Sequence, residues 1–209
     1  SKPSIGSTCE IIYNIMKTIN DKLIDKEIAT YIYSGIVTDT GSFRYPLTSA
    51  RTHNITSELF KKGINHTKIH ENIYDNFSFE RANLLAVALK NLKKIDNLGV
   101  VYTILKKEEL EKYNFKKGDT EGFVNFGLSI KGVNVSVIFI EDINEDIIKI
   151  SFRSKEKIDV SKFAKKYFSG GGHKNASGGF SNNSIIETEK KFIASVKEFF
   201  TRWKKFFFL

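Results

Sequence analysis

The sequence predicts an α/β chain in which a mostly helical segment, residues 1–95, precedes an α+β domain with a mixed sheet, residues 96–209. Three observations carry this. Apolar residues recur with a helical period as far as Lys94, short β-branched runs replace them from Leu98 onward, and a glycine-rich loop separates the last two helices.

The first helix opens at Ser7-Thr8-Cys9-Glu10, a capping-box pattern, and Ile11, Ile12, Ile15, Met16 and Ile19 form its apolar face. Asp25 suits the N-cap of a second helix, with Ile28, Ala29, Ile32, Tyr33 and Ile36 inward and an end near Val37 to Thr40, before Gly41. Thr48 to Lys62 with Gly63 as its stop, Asn65 to Tyr74, and Ser78 to Lys94 give three more helices, the last presenting Leu84, Leu85, Ala88, Leu89 and Leu92. Beyond the change of period, Val100 to Ile104, Val133 to Ile140 and Ile147 to Phe152 read as strands, the last two joined by the polar turn Asp142 to Asp146. Helices fit at Lys107 to Tyr113, Thr120 to Leu128, Asp159 to Phe168 and Ser184 to Trp203, where Ser184 and Glu187 repeat the capping box. The tail, Lys204 to Leu209, is apolar enough to dock on the core or on a partner.

Composition narrows the function classes. A chain of 209 residues with 41% hydrophobic and 27% charged residues builds a core without disulfides or a structural metal. Its single cysteine, Cys9, excludes an internal disulfide and a thiolate zinc cluster. No run of about 18 apolar residues occurs and the N-terminal residues lack the apolar segment of a signal peptide, so a cytoplasmic protein without a membrane span is expected. Lysine and arginine number 33 against 24 acidic residues, a formal charge of +9, which suits either anionic partners such as nucleotides or an ordinary solvated basic surface.

Chemistry concentrates in three stretches. In Ser169-Gly170-Gly171-Gly172-His173-Lys174-Asn175, successive glycines allow close backbone approach to a ligand and could form an anion-binding nest, with His173 and Lys174 adding a hydrogen bond and charge; a plain flexible turn is the alternative. The lysine and hydroxyl of a P-loop are missing. Lys149 to Ser154 delivers Arg153 and Ser154 at the end of a strand, an arginine fork and a neutral donor for a phosphate. In Gly35-Ile36-Val37-Thr38-Asp39-Thr40-Gly41, Asp39 suits a metal ligand in a polar cleft or a cap for the following turn. His53, His66 and His70 lack partners at metal-binding spacing and read as surface or packing residues.

Together these motifs resemble the DHH phosphoesterase superfamily, in particular its oligoribonuclease (nanoRNase) and 3′-phosphoadenosine-5′-phosphate phosphatase group, over nearly the whole chain. Ser7-Thr8-Cys9-Glu10 is similar to the segment that follows the family's Asp-His-His motif, Gly35 to Gly41 to its fourth metal motif, and Arg153-Ser154 with Gly170-Gly171-Gly172-His173 to the signature of the DHH-associated domain. The resemblance implies that residues 1–95 are the helical remainder of a DHH phosphoesterase domain and that 96–209 are the substrate-binding DHH-associated domain. It implies Asp39 as a ligand of Mn2+, two ions in the complete enzyme, and Arg153, Ser154, Gly170, Gly171, Gly172 and His173 as substrate-binding residues. The implied activity is manganese-dependent hydrolysis of short RNA or dinucleotides, and of adenosine bisphosphate, in a cytoplasmic protein with a homodimer among its expected assemblies.

The chain departs from the family pattern in lacking an Asp-His-His triplet, and in carrying Gly6 where the family has serine. A two-metal reaction needs ions about 3.5–4 Å apart, which one aspartate cannot hold. The chain therefore resembles the C-terminal two thirds of such an enzyme, with little activity expected on its own and apolar helix faces left uncovered. A nucleotide-binding module without catalysis is the alternative.

Overall fold

The computed structural model describes residues 5–95, 97–155 and 157–207, with side chains through Phe200. Two compact units divide between Phe77 and Ser78.

The first unit is helical. Helix α1 (Thr8–Ile19) leads through a short 3-10 turn to α2 (Lys26–Asp39), then α3 (Ala50–Lys61) and α4 (His66–Tyr74). Each start is chemically marked: the side chains of Asp25, Ser49 and Asn65 accept the Ile28, Thr52 and Lys68 amides, satisfying first-turn donors that have no helical partner. The core joins Tyr13, Ile24, Ala29, Ile32, Tyr33, Ile36, Val37, Ile55 and Leu59.

Helix α1 is rotated from its expected setting. Glu10 and Tyr13 are buried, whereas Ile12, Ile15 and Ile19 are 44%, 55% and 70% exposed. Polar chemistry fixes the rotation. Ser7 Oγ donates to Asp39 Oδ2 (2.7 Å), Thr52 Oγ1 donates to Glu10 Oε1 (2.9 Å), and the bare Cα of Gly35 admits Cys9 against α2. The expected capping box is thus only half formed: Ser7 accepts the Cys9 amide (3.1 Å), while the Glu10 carboxylate turns inward to Thr52.

The second unit starts with α5 (Phe79–Lys90), continues through β1 (Lys93–Ile95), β2 (Val100–Leu105), α6 (Lys107–Lys112), α7 (Phe123–Leu128), β3 (Val135–Glu141), β4 (Ile148–Ser154), α8 (Val160–Tyr167), β5 (Gly171–His173) and β6 (Ala176–Ser181), and closes with α9 (Ile185–Phe207). The six strands form one mixed sheet in the order β1-β2-β3-β4-β6-β5, parallel only between β2 and β3. Helix α5 stops at Lys90 and gives way to β1, so the expected helix to Lys94 is too long; Leu84 and Ala88 pack with Leu105, Leu110 and Ile138, which places α5 with the sheet.

Alternation along the strands sends the two sets of side chains to opposite faces. On one face, Tyr102, Phe139, Ile150 and Phe152 pack against Phe163 and Phe168 at α8 and Phe192, Val196 and Phe200 of α9. On the other, α5 covers β2, and α7 covers β3 and reaches β4. Helix α9 begins with the expected capping box: Glu187 N donates to Ser184 Oγ, and Ser184 N to Glu187 Oε2. The apolar tail beyond Phe207 lies outside the described residues.

One ionic link ties α9 to the sheet. Lys93 Nζ and Tyr102 OH both donate to Glu189 Oε1 at 2.7 Å. Partial burial acts to raise the Glu189 pKa, but the hydrogen bonds from Lys93 and Tyr102, with the Lys93 charge, outweigh it and hold the carboxyl below its ordinary range. A folded-state pKa below the unfolded one stabilises fully above the unfolded value and loses that contribution as pH falls through the folded one. Wild type is therefore expected to lose more thermal stability than Glu189→Gln between about pH 6 and pH 3, in parallel melts of the two.

Candidate functional site

On the second face α7 reaches β4 as well as β3, and the β4–β6 side of the sheet beyond it is only partly covered. Strand register puts three rungs there: Arg153 beside Ala176, Ser151 beside Gly178, and Lys149 beside Phe180. Burial alternates accordingly. Ile148, Ile150, Phe152 and Ser154 are buried toward α8 and α9, while Lys149 is exposed and Ser151 and Arg153 are half-buried on the open side. Arg153 and Ser154 therefore point to opposite faces, although they are neighbours in sequence.

Ser154 is fully engaged within the chain. Its hydroxyl donates to the Ile158 carbonyl (2.7 Å) and accepts from Asn175 Nδ2 (2.9 Å), while its amide donates to the Asn175 carbonyl (3.1 Å). The Val160 amide at the start of α8 donates to the Lys174 carbonyl (2.8 Å). These bonds lock the two-residue tip Lys174-Asn175 of the β5–β6 hairpin. His173, exposed and opposite Ala176, is held by that tip across β6 from Arg153.

The glycine run forms edge strand β5, not a nest: Gly171, Gly172 and His173 pair in register with Gly178, Ser177 and Ala176. Two of the glycines answer to the chain itself. A Cβ at Gly170 would run into the Gly178 carbonyl oxygen and stand 2.7 Å from Gly179 Cα, and Gly172, at φ 137°, would bring one within 2.7 Å of the Ala176 carbonyl oxygen. Gly171 and Gly178 are different: at each, a Cβ would meet a single atom, at 3.7 Å, so nothing in the fold forbids a side chain there.

In the first unit, Asp39 ends α2 and takes the Ser7 hydroxyl on Oδ2. The three helical histidines are packing residues: His53 stacks on Phe43 (5.2 Å), His66 lies against Phe60 (5.1 Å), and His70 Nε2 is 3.1 Å from the Tyr33 hydroxyl. No group of three or more histidine, cysteine, aspartate or glutamate side chains gathers at a metal-binding spacing among the described residues. A two-manganese centre does not fit the donor set of this chain alone; Asp39 fits as one oxygen ligand.

A family model for the DHHA1 domain matches residues 97–202, over half of the chain. The chain belongs to the DHHA1 domain family. All of Arg153, Ser154, Gly170, Gly171, Gly172 and His173 lie inside the DHHA1 match. The chain is 34% identical over 184 residues to a probable bifunctional oligoribonuclease and PAP phosphatase NrnA from Streptococcus mutans, covering 88% of this chain and 57% of the relative. It is 29% identical over 177 residues to the bifunctional oligoribonuclease and PAP phosphatase NrnA of Bacillus subtilis, covering 84% and 55%. The chain thus spans little more than half the length of these relatives. The crystal structure of an exopolyphosphatase-related protein from Bacteroides fragilis superposes with a TM-score of 0.92 at 37% identity, over 97% of this chain and 59% of that one.

Three residues of the sites escaped the sequence reading. Ser7 was legible as a helix cap, but its bond to Asp39 spans 32 positions and has no local signal. Ser151 could have been found by period-two counting from Arg153 along β4, whereas Phe180 lies in β6, whose glycines and serines carry no strand signal.

Proposed function

We propose that this chain is the substrate-gripping part of a metal-dependent phosphoesterase that hydrolyses short oligoribonucleotides or dinucleotides and 3′-phosphoadenosine 5′-phosphate in the cytoplasm. The observation that carries the reading is the convergence of Arg153 and His173, through Ala176, on one rung of an open sheet face whose hairpin tip is fixed by hydrogen bonds. A guanidinium and an imidazole there can hold the phosphate of a short substrate, the arginine by paired donors and the histidine by a single one. The names carried by the relatives agree with such a substrate. Manganese enters only as a group shared with ligands beyond Asp39, whose Oδ2 is already oriented by Ser7. When bound it would supply Lewis-acid chemistry; the residues of this chain bind and orient.

Binding without hydrolysis by this chain alone is a second reading, favoured by the single carboxylate at the Asp39 site. Calorimetric titration with a diadenylate, with and without manganese and with hydrolysis read in the same samples, tests the binding that both readings share. Binding is expected in both conditions, without turnover, and Arg153→Ala is expected to weaken it about 10- to 100-fold, the effect of losing a charge-assisted hydrogen bond. One or two phosphate contacts predict a shallow salt slope, about −0.7 to −1.4 in log units. A slope several times steeper, with long single strands preferred, would contradict a short-substrate site.

A further inference from the structure

The geometry points to Phe180 as a base-stacking residue that completes a three-step nucleotide trough on the open face, an inference that rests on the function proposed above. Phe180 is 43% exposed although it sits in a strand otherwise made of small residues. Its place is fixed, since its amide donates to the Phe168 carbonyl (3.0 Å). Its cross-strand neighbour Lys149 is drawn to Asp142, with which it forms an ion pair.

The rungs of the trough are ordered as a nucleotide is. Arg153, Ala176 and His173 form the cationic end; Ser151 and the exposed Gly178 form the middle; Phe180 closes the far end. Successive rungs are two residues apart, about 7 Å, so the arginine and phenylalanine rungs are separated by about 13 Å. A dinucleotide with a phosphate on the first rung lays a ribose over the second and the base of its next nucleotide against the third. Gly178 has room for a side chain that the sequence does not supply, and its bare Cα lets the sugar lie close to the strand. The Ser151 hydroxyl lines the same step, where it can hydrogen-bond a ribose 2′-hydroxyl. The aromatic ring offers a π-face that any base can use.

The test is competitive binding of diadenylate and of inorganic pyrophosphate, which has phosphates but no base, to wild type, Phe180→Ala, Phe180→Tyr and Arg153→Ala. Phe180→Ala is expected to weaken diadenylate about 5- to 100-fold, the range for one lost base stack, and to leave pyrophosphate unchanged. Phe180→Tyr is expected to bind diadenylate as wild type does, and Arg153→Ala to weaken both ligands about 10- to 100-fold. Diadenylate binding within twofold of wild type in Phe180→Ala, or an equal loss of pyrophosphate, would overturn the stacking role while leaving the phosphate site standing. Failure of wild type to bind either ligand would overturn the function proposed above and this inference with it.

Discussion

Replacing Gly170 with alanine is expected to destabilise the second unit by about 3 kcal/mol or more, a drop in melting temperature of roughly 10 °C. The new Cβ would meet the Gly178 carbonyl oxygen and Gly179 Cα, which are backbone atoms of a paired strand and have no rotamer to escape into. Relief requires β5 to peel from β6, and the hairpin that positions His173 goes with it. Diadenylate affinity should therefore fall together with stability. Gly171→Ala supplies the contrast: its Cβ has only Lys165 Cε within reach, at 3.7 Å, so its melting temperature should stay close to wild type. Equal melting temperatures for the two variants would show that the β5–β6 pairing is not as tight as described.

Phe163→Ala is expected to cost about 3–5 kcal/mol. Phe163 is 2% exposed, and its ring lies within 6.5 Å of the rings of Phe152, Tyr167, Phe168, Phe192, Phe199 and Phe200, so it joins β4, α8 and α9 in one aromatic core. Truncation leaves a cavity that several large rings cannot refill without leaving their rotamers. Denaturant unfolding followed by circular dichroism measures the loss. A cost below about 1 kcal/mol would mean that α9 is not docked on the sheet in this way.

Helices with a marked start were readable from sequence, because their N-caps are local chemistry: Asp25, Ser49, Asn65, Ser78, Asp159 and Ser184 all sit where a first-turn amide needs an acceptor. The β-branched strands β2, β3 and β4 were readable for a similar reason. What escaped depends on distant partners. Strands β5 and β6 are rich in glycine and serine, which have little strand preference, and exist because β4 supplies hydrogen bonds to β6 and β6 to β5. The outward setting of Ile12, Ile15 and Ile19 is likewise decided by Ser7, Glu10 and Gly35 meeting Asp39, Thr52 and Cys9 across the unit.

The site divides along the same line. Arg153, the glycines and His173 are a motif and could be read directly, but their arrangement is a strand edge held by Ser154 and Asn175, whereas a nest was expected. Ser154, which the resemblance implies as a substrate-binding residue with Arg153, lies across the pleat of β4 from it, and its hydroxyl braces the hairpin tip.

On the function proposed above, the β4–β6–β5 face receives the substrate. Amide chemical-shift mapping during titration of this chain with diadenylate tests it most directly. Saturable shifts are expected at Ser151, Arg153, Gly171 to Lys174, Ala176, Gly178 and Phe180, with an affinity about 10- to 100-fold weaker in Arg153→Ala at unchanged melting temperature. Shifts that cluster on α9 or the helical first unit instead, or that saturate as tightly in Arg153→Ala, would contradict it.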